Sequence, residues 1–180
     1  MWIKYFIIIV LFYFLEILQN SFFVHFNLFG AIPNLVFVLF FLLVYFDDSK
    51  NYYQIVFYAI SAGLFLDLFS STYFGVSITL LLLIGFLIKK AQAVLQEKKN
   101  NKFPFVYFLP LFIISLLVYS LLLAFFLYKF NIIKIISSIN GGFAAEIVYD
   151  LLFASITFYI YKKFLQSGIN DRQLKLFSKR

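Results

Sequence analysis

The chain has 180 residues, of which 64% are hydrophobic and 13% charged, about half the charged share of a soluble globular domain. A small fold cannot hide that much apolar surface from water, so a soluble enzyme and a disordered chain are both excluded. What remains is an all-α polytopic integral membrane protein: at ~20 apolar residues per crossing of a ~30 Å hydrocarbon core, the length holds about six spans, short loops and no second, water-soluble domain.

The first apolar run, 2–23, is broken by Lys4, Glu16 and Gln19. It has no Ala-x-Ala-like cleavage site after it and is read as a retained first helix. The second run, 28–46, has Pro33 near its start, where a missing N–H costs little. A polar loop, Asp47-Asp48-Ser49-Lys50-Asn51, leads into the third, 52–69, which carries Asp67 near its far end. Ser70-Ser71-Thr72-Tyr73 then turns the chain into the fourth, 74–88, which ends in Lys89-Lys90 and a more polar stretch to Lys102. The fifth, 103–128, has Pro104 and Pro110 near its start, and Pro110 is expected to kink it. The sixth, 135–161, opens on the small-residue patch Ser137-Ser138-Ile139-Asn140-Gly141-Gly142. Residues 1–161 thus form one transmembrane domain, and 162–180 a short basic tail.

The absence of cysteine and the single histidine, His25, exclude disulfides, thiolate metal sites and multi-histidine metal sites. The net charge of +7 reads as topology rather than nucleic-acid binding, because the basic residues sit beside apolar runs. With six spans, one side collects Lys4, Lys50, the five lysines from Lys89 to Lys102 and the six basic residues of the tail. Only Lys129 and Lys134 of the fifteen fall on the other side. By the positive-inside rule both termini are cytoplasmic, and the tail attracts anionic lipid headgroups. The 28 Phe and 13 Tyr read as lipid-facing filler, with no cluster that needs a cofactor.

Four acids lie within or at the edges of apolar runs: Glu16, Asp67, Glu146 and Asp150. A charge at mid-bilayer costs ~3 kcal/mol on insertion scales, and such residues usually face a bundle interior or a wet cavity. The topology puts all four between the midplane and the outer surface. Glu146 and Asp150 are four residues apart and share a helix face. No Lys or Arg lies at their depth, so the acids are protonated, water-bridged, paired with helix ends or matched by a partner's basic groups. The two open readings are a polar pocket or partner contact on one hand, and a structural role on the other. In the structural reading Asp67 caps the turn beside Ser70, Ser71 and Thr72, and Glu16 with Gln19 sits at the interface in water.

Small residues recur every four positions at Ser137, Gly141 and Ala145, at Ser138 and Gly142, and at Ala59 and Gly63. In lipid such stripes let helices approach closely, within the chain or against a partner. Tyr149-Asp150 matches half of an intramembrane aspartyl protease pattern, but Asp67 lacks the Gly-x-Gly lead and comes before the Tyr-Asp pair instead of after it. No nucleotide loop, metal motif or nucleophile elbow is present, so no catalytic residue, metal ligand or cofactor site is assigned. Transport through an acid-lined cavity stays open.

Two segments read together as a signature. Gln19-Asn20-Ser21 is followed by Gly30-Ala31-Ile32-Pro33-Asn34-Leu35; Gly63-Leu64-Phe65-Leu66-Asp67-Leu68-Phe69-Ser70 is followed by Gly75, eight residues after Asp67. The pattern resembles the bacterial rod shape-determining protein MreD family, with Asn34 where that family usually has Asp. The resemblance covers the whole chain in length, span number and loop order, and its motifs lie within roughly residues 15 to 85. It implies a non-enzymatic subunit of the cell-elongation, peptidoglycan-synthesising machinery in the bacterial plasma membrane, partnered by MreC-like and MreB-like shape proteins and peptidoglycan synthases. The family also resembles in fold the substrate-binding subunits of energy-coupling-factor vitamin transporters, which supply the alternative function. Their Ala-x-x-x-Ala docking stripe is missing from helix one, which reads Ile7-Ile8-Ile9-Val10-Leu11-Phe12-Tyr13-Phe14.

Overall fold

An apolar run in lipid has no water to satisfy its backbone, so it folds as a helix and bonds to itself. The computed structural model describes residues 2–26, 30–47, 52–70, 73–97, 105–128 and 141–177. Among them are six helices and no strand: α1 (Trp2–Leu18, prolonged by one π-helical turn, Gln19–Phe23), α2 (Leu35–Phe46), α3 (Tyr52–Phe69), α4 (Val76–Glu97), α5 (Phe105–Leu127) and α6 (Gly141–Phe177). Five of them are long and apolar enough to cross a membrane. Lys50, Ser71, Thr72, Lys98, Lys99, Lys102, Pro104, Lys129, Lys134, the patch 137–140 and the last two basic residues lie outside the described residues.

The second helix departs most from expectation. Helix was expected from residue 28, but it begins only at Leu35, and Gly30 to Asn34 are non-helical. Pro33 disfavours the helical region for Ile32 before it. Asn34 then acts as the N-cap, its side chain accepting from the Phe37 N–H at 3.0 Å. The remaining 12 residues rise only about 18 Å. Even so, α2 is the hub of the bundle. It packs on α1, α3, α4 and α6, and nine of its residues are buried.

Against α5 the contact is made by rings. Phe37, Phe41 and Tyr45, spaced four apart on one face, meet Tyr119, Phe112 and Phe108 with centroids 5.0 to 5.1 Å apart. The reading of the aromatics as lipid-facing filler is therefore corrected in part: Phe12, Phe37, Phe40, Phe41, Phe108 and Phe112 are fully buried, while Phe6, Phe14, Tyr53, Phe74 and Tyr159 are exposed on the outside of the bundle. Rings fill the wide α2–α5 gap, and such pairs add about 0.5–1.5 kcal/mol each beyond their burial.

The α3–α4 contact is of the opposite kind. A Cβ on Gly63 would lie 2.5 Å from the Ile78 Cα, and one on Gly85 would lie 2.5 Å from the Ile55 side chain. Gly63, Ala59 and Ala62 let the two backbones touch, as small residues do in lipid. The fourth helix also runs past its expected end at 88, to Glu97. Its extra turns hold the C-terminus of α2: Lys89 Nζ donates to the Asp47 carbonyl, and Gln92 Nε2 donates to the Tyr45 carbonyl at 2.9 Å. A lysine there also complements the negative end of the α2 dipole. Pro110 lies inside α5, which stays helical through it. The sixth helix continues through the basic tail to Phe177.

Candidate functional site

One end of the bundle gathers the last turns of α1 and α3, the N-termini of α2, α4 and α6, and the second half of α5. All four membrane acids are here, and we call it the acidic end. The opposite end carries Lys4, Lys89 and Lys163.

A helix that starts inside the membrane exposes N–H groups which lipid cannot satisfy. At the start of α2 the Asn34 N–H donates to Asp150 Oδ1 at 2.7 Å, and the Leu35 N–H donates to Gln19 Oε1 at 3.1 Å. Asp150 comes from α6, 116 residues further along the chain, and Gln19 from the π turn of α1. At the start of α4, Asp67 plays the corresponding part. Its Oδ2 accepts from the Gly75 N–H at 2.7 Å and its Oδ1 from the Ser77 N–H at 2.9 Å. Gly75 has φ +94°, a conformation open to glycine at no steric cost, and this lets the turn fold back under the carboxylate. Both aspartates thus place carboxyl oxygens at the N–H end of a helix, the positive end of its dipole. Of the four fates open to the acids, pairing with helix ends is the geometry of Asp67 and Asp150.

The acids differ in what they leave over. Glu16, Asp67 and Asp150 are only 2%, 5% and 0% exposed, so Glu16 is buried and not at the watery interface. Glu16 Oε1 accepts from Asn20 Nδ2 at 2.8 Å. Glu16 Oε2 and Asp150 Oδ2 are buried and have no hydrogen-bond partner among the described residues. Tyr119 of α5 is buried with its hydroxyl beside the Ser77 and Asn34 side chains, and so bridges the starts of α2 and α4.

Beside this cluster lies a cavity of about 550 Å³, with Gln19, Asn20, Asn34, Tyr119, Ser120 and Glu146 in its wall. Glu146 is half-buried and stands one helical turn from Asp150 on the same face. Gly142 is also in the wall, α6 starts at Gly141, and Ala145 is half-buried. Gly63 is remote from the cavity wall and serves the α3–α4 contact. Glu16, Glu146 and Asp150 are thus brought to one neighbourhood, while Asp67 sits beneath the α4 N-terminus. Sequence reasoning missed Tyr119 and Ser77, which bring no charge into their helices. It also missed Asn20 as a partner of Glu16, although their spacing of four was there to read.

The cavity wall offers acceptors in the Glu146 side chain and the amides of Gln19 and Asn20, while the unpaired oxygens of Glu16 and Asp150 are buried behind it. It suits a ligand or partner that brings donors. Among the described residues there is no group of three His, Cys, Asp or Glu placed to hold a metal ion.

The family model of the rod shape-determining protein MreD matches residues 1–168. The chain belongs to the MreD family. That is a family of membrane proteins defined by rod-shape determination and not by a reaction, and membership brings association with other shape-determination proteins. No curated protein matches the chain, and no solved structure does. In this chain the segment Gly30 to Asn34 is the non-helical approach to α2, and Asp67 accepts from the Gly75 N–H at the start of α4.

Proposed function

We propose that this chain is a multi-pass, non-enzymatic subunit of the elongation machinery in the bacterial plasma membrane, acting with MreC-like and MreB-like shape proteins and peptidoglycan synthases. Its role in this reading is to hold a partner at the acidic end, through the cavity beside Glu146 and Asp150. One observation carries the proposal: the Glu146 side chain lines an open polar cavity, one helical turn from the buried Asp150 that caps α2. A half-buried acid left without a partner in such a wall is costly, and a partner's donor to Glu146 would remove that cost.

In this reading the chain crosses six times, with both termini cytoplasmic and the acidic end outward, as the distribution of Lys and Arg favours. The short α2 can complete a crossing because 12 helical residues supply about 18 Å and the five non-helical residues before it up to about 17 Å more. Reporter fusions after Ser71 and after Arg180 test this: Ser71 should report outside and Arg180 inside, and an outside report from Arg180 would end the six-crossing model.

Function is tested by depletion and rescue in a rod-shaped host. Depletion should turn rods into spheres. The double variant Glu146→Gln/Asp150→Asn should restore rods poorly while reaching normal membrane abundance, because the amide in place of Asp150 can still accept from Asn34. Full rescue at normal abundance would return both residues to a purely structural role. Rods that survive depletion but take up a vitamin poorly would favour the transporter-subunit alternative.

A further inference from the structure

The lysine end holds a second cavity with different chemistry. The C-terminal part of α1 meets α6 through Phe23 and Phe153, whose rings lie 5.3 Å apart. Away from that contact the two helices are not closely packed, and a slot of about 800 Å³ separates them, floored by α2. Its walls carry Ile7 and Ile8 of α1, Leu39 and Leu43 of α2, and Thr157 and Ile160 of α6.

The polar groups in that wall are already engaged. The Thr157 hydroxyl donates to the Phe153 carbonyl at 2.6 Å, and the Tyr58 hydroxyl is hydrogen-bonded to the Gln54 side chain at 3.2 Å. The Gln54 amide, turned to donate, reaches the Asp47 carboxylate at 2.9 and 3.1 Å. The interior is therefore apolar, unlike the cavity at the acidic end. Its mouth carries both signs: Lys4 and Asp47 line it, Lys4 is exposed and Asp47 is engaged by the Gln54 amide, and Lys163, outside the wall, is exposed one turn beyond Ile160 on α6.

We propose that this slot holds one molecule of an anionic phospholipid, with an acyl chain against Leu39 and Leu43 of α2 and the headgroup at Lys4 and Lys163. Charge complementarity selects the headgroup: with the Asp47 carboxyl held by the Gln54 amide, the two exposed lysines dominate the mouth, and each lysine near an anionic lipid surface favours it by a few-fold. Size argues against a partner helix: a helix is about 10 Å across, so the slot would take barely two turns of one. The lipid would complete the lateral cover of α2, which α1, α3 and α4 already give on its other sides. The proposal does not depend on the acidic-end site, nor on which leaflet the lysine end faces.

The test is lipid retention by the full-length chain. The protein is reconstituted in nanodiscs of equal phosphatidylglycerol and phosphatidylcholine, extracted, and weighed by native mass spectrometry. One phosphatidylglycerol should stay bound per chain, favoured roughly tenfold over phosphatidylcholine. The surface variant Lys4→Gln/Lys163→Gln should keep the fold and bring the two lipids near parity. Leu39→Trp/Leu43→Trp, which narrows the slot where the acyl chain would lie, should weaken retention of both. Equal retention of the two lipids by the unaltered chain, no retained lipid at all, or a preference untouched by the lysine variant would each overturn the proposal.

Discussion

The helices α2 and α4 both begin on an aspartate borrowed from another helix, and the two aspartates are used differently. Asp67 reaches forward only eight and ten residues, and both its oxygens are committed to α4. Asp150 reaches back across 116 residues, commits one oxygen to α2, and leaves the other buried and unpaired one helical turn from Glu146, which lines the cavity. The chemistry is the same, a carboxylate at the positive end of a helix. The first case is a closed structural joint. In the second, a structural joint shares its carboxylate with a candidate site. An acid inside a membrane protein is thus not functional merely by being there, and what distinguishes the two is the count of acceptors left over.

The largest effect should come from breaking the closed joint. Asp67→Ala removes two charge-assisted bonds and strands two N–H groups, which should cost about 3 kcal/mol or more. Thermal unfolding in detergent and membrane abundance should both fall sharply. If abundance stayed normal, the joint would not be holding α4.

The spacing that brings Asp67 under α4 comes next. Gly63→Ala places a methyl against the Ile78 backbone, where no side chain can swing away. It should cost about 1–3 kcal/mol by overpacking, read as a lower unfolding temperature. A neutral result would mean that α3 and α4 can part without loss.

The third prediction compares the aspartates directly. Asp67→Asn turns one of two used acceptors into a donor facing an N–H and should cost about 1–2 kcal/mol. Asp150→Asn can keep its bond from Asn34 on the amide oxygen and should cost less than about 1 kcal/mol. Equal losses in the same unfolding assay would erase the distinction between the joints.

The smallest effect sharpens the α2 side. Gln19→Leu removes the acceptor of the Leu35 N–H but leaves Asp150 in place, so about 1 kcal/mol should be lost. In hydrogen exchange, the amides at the start of α2 should lose protection while those of α4 keep it.

Much of this was legible without coordinates. Composition made the chain a helical membrane protein, because lipid leaves the backbone no partner but itself. The third and fifth helices lie within two residues of their expected bounds at each end. The membrane acids stood out by charge alone, and the eight-residue spacing from Asp67 to Gly75 was readable because such a contact is local. The late start of α2 was less legible, because Pro33 is compatible with either side of a helix start. Its placement was decided by what could satisfy the freed N–H groups, namely Gln19 and Asp150 from distant helices.

Sequence by itself therefore determined the class, the helices and which residues were anomalous. Only the tertiary structure decided which aspartate is fully spent, that six aromatic residues of α2 and α5 fill the wide gap between those helices, and that the two cavities are polar at one end and apolar at the other. Hydropathy and helix propensity act on neighbours along the chain, whereas the partners of a buried oxygen or a phenyl ring are chosen across it.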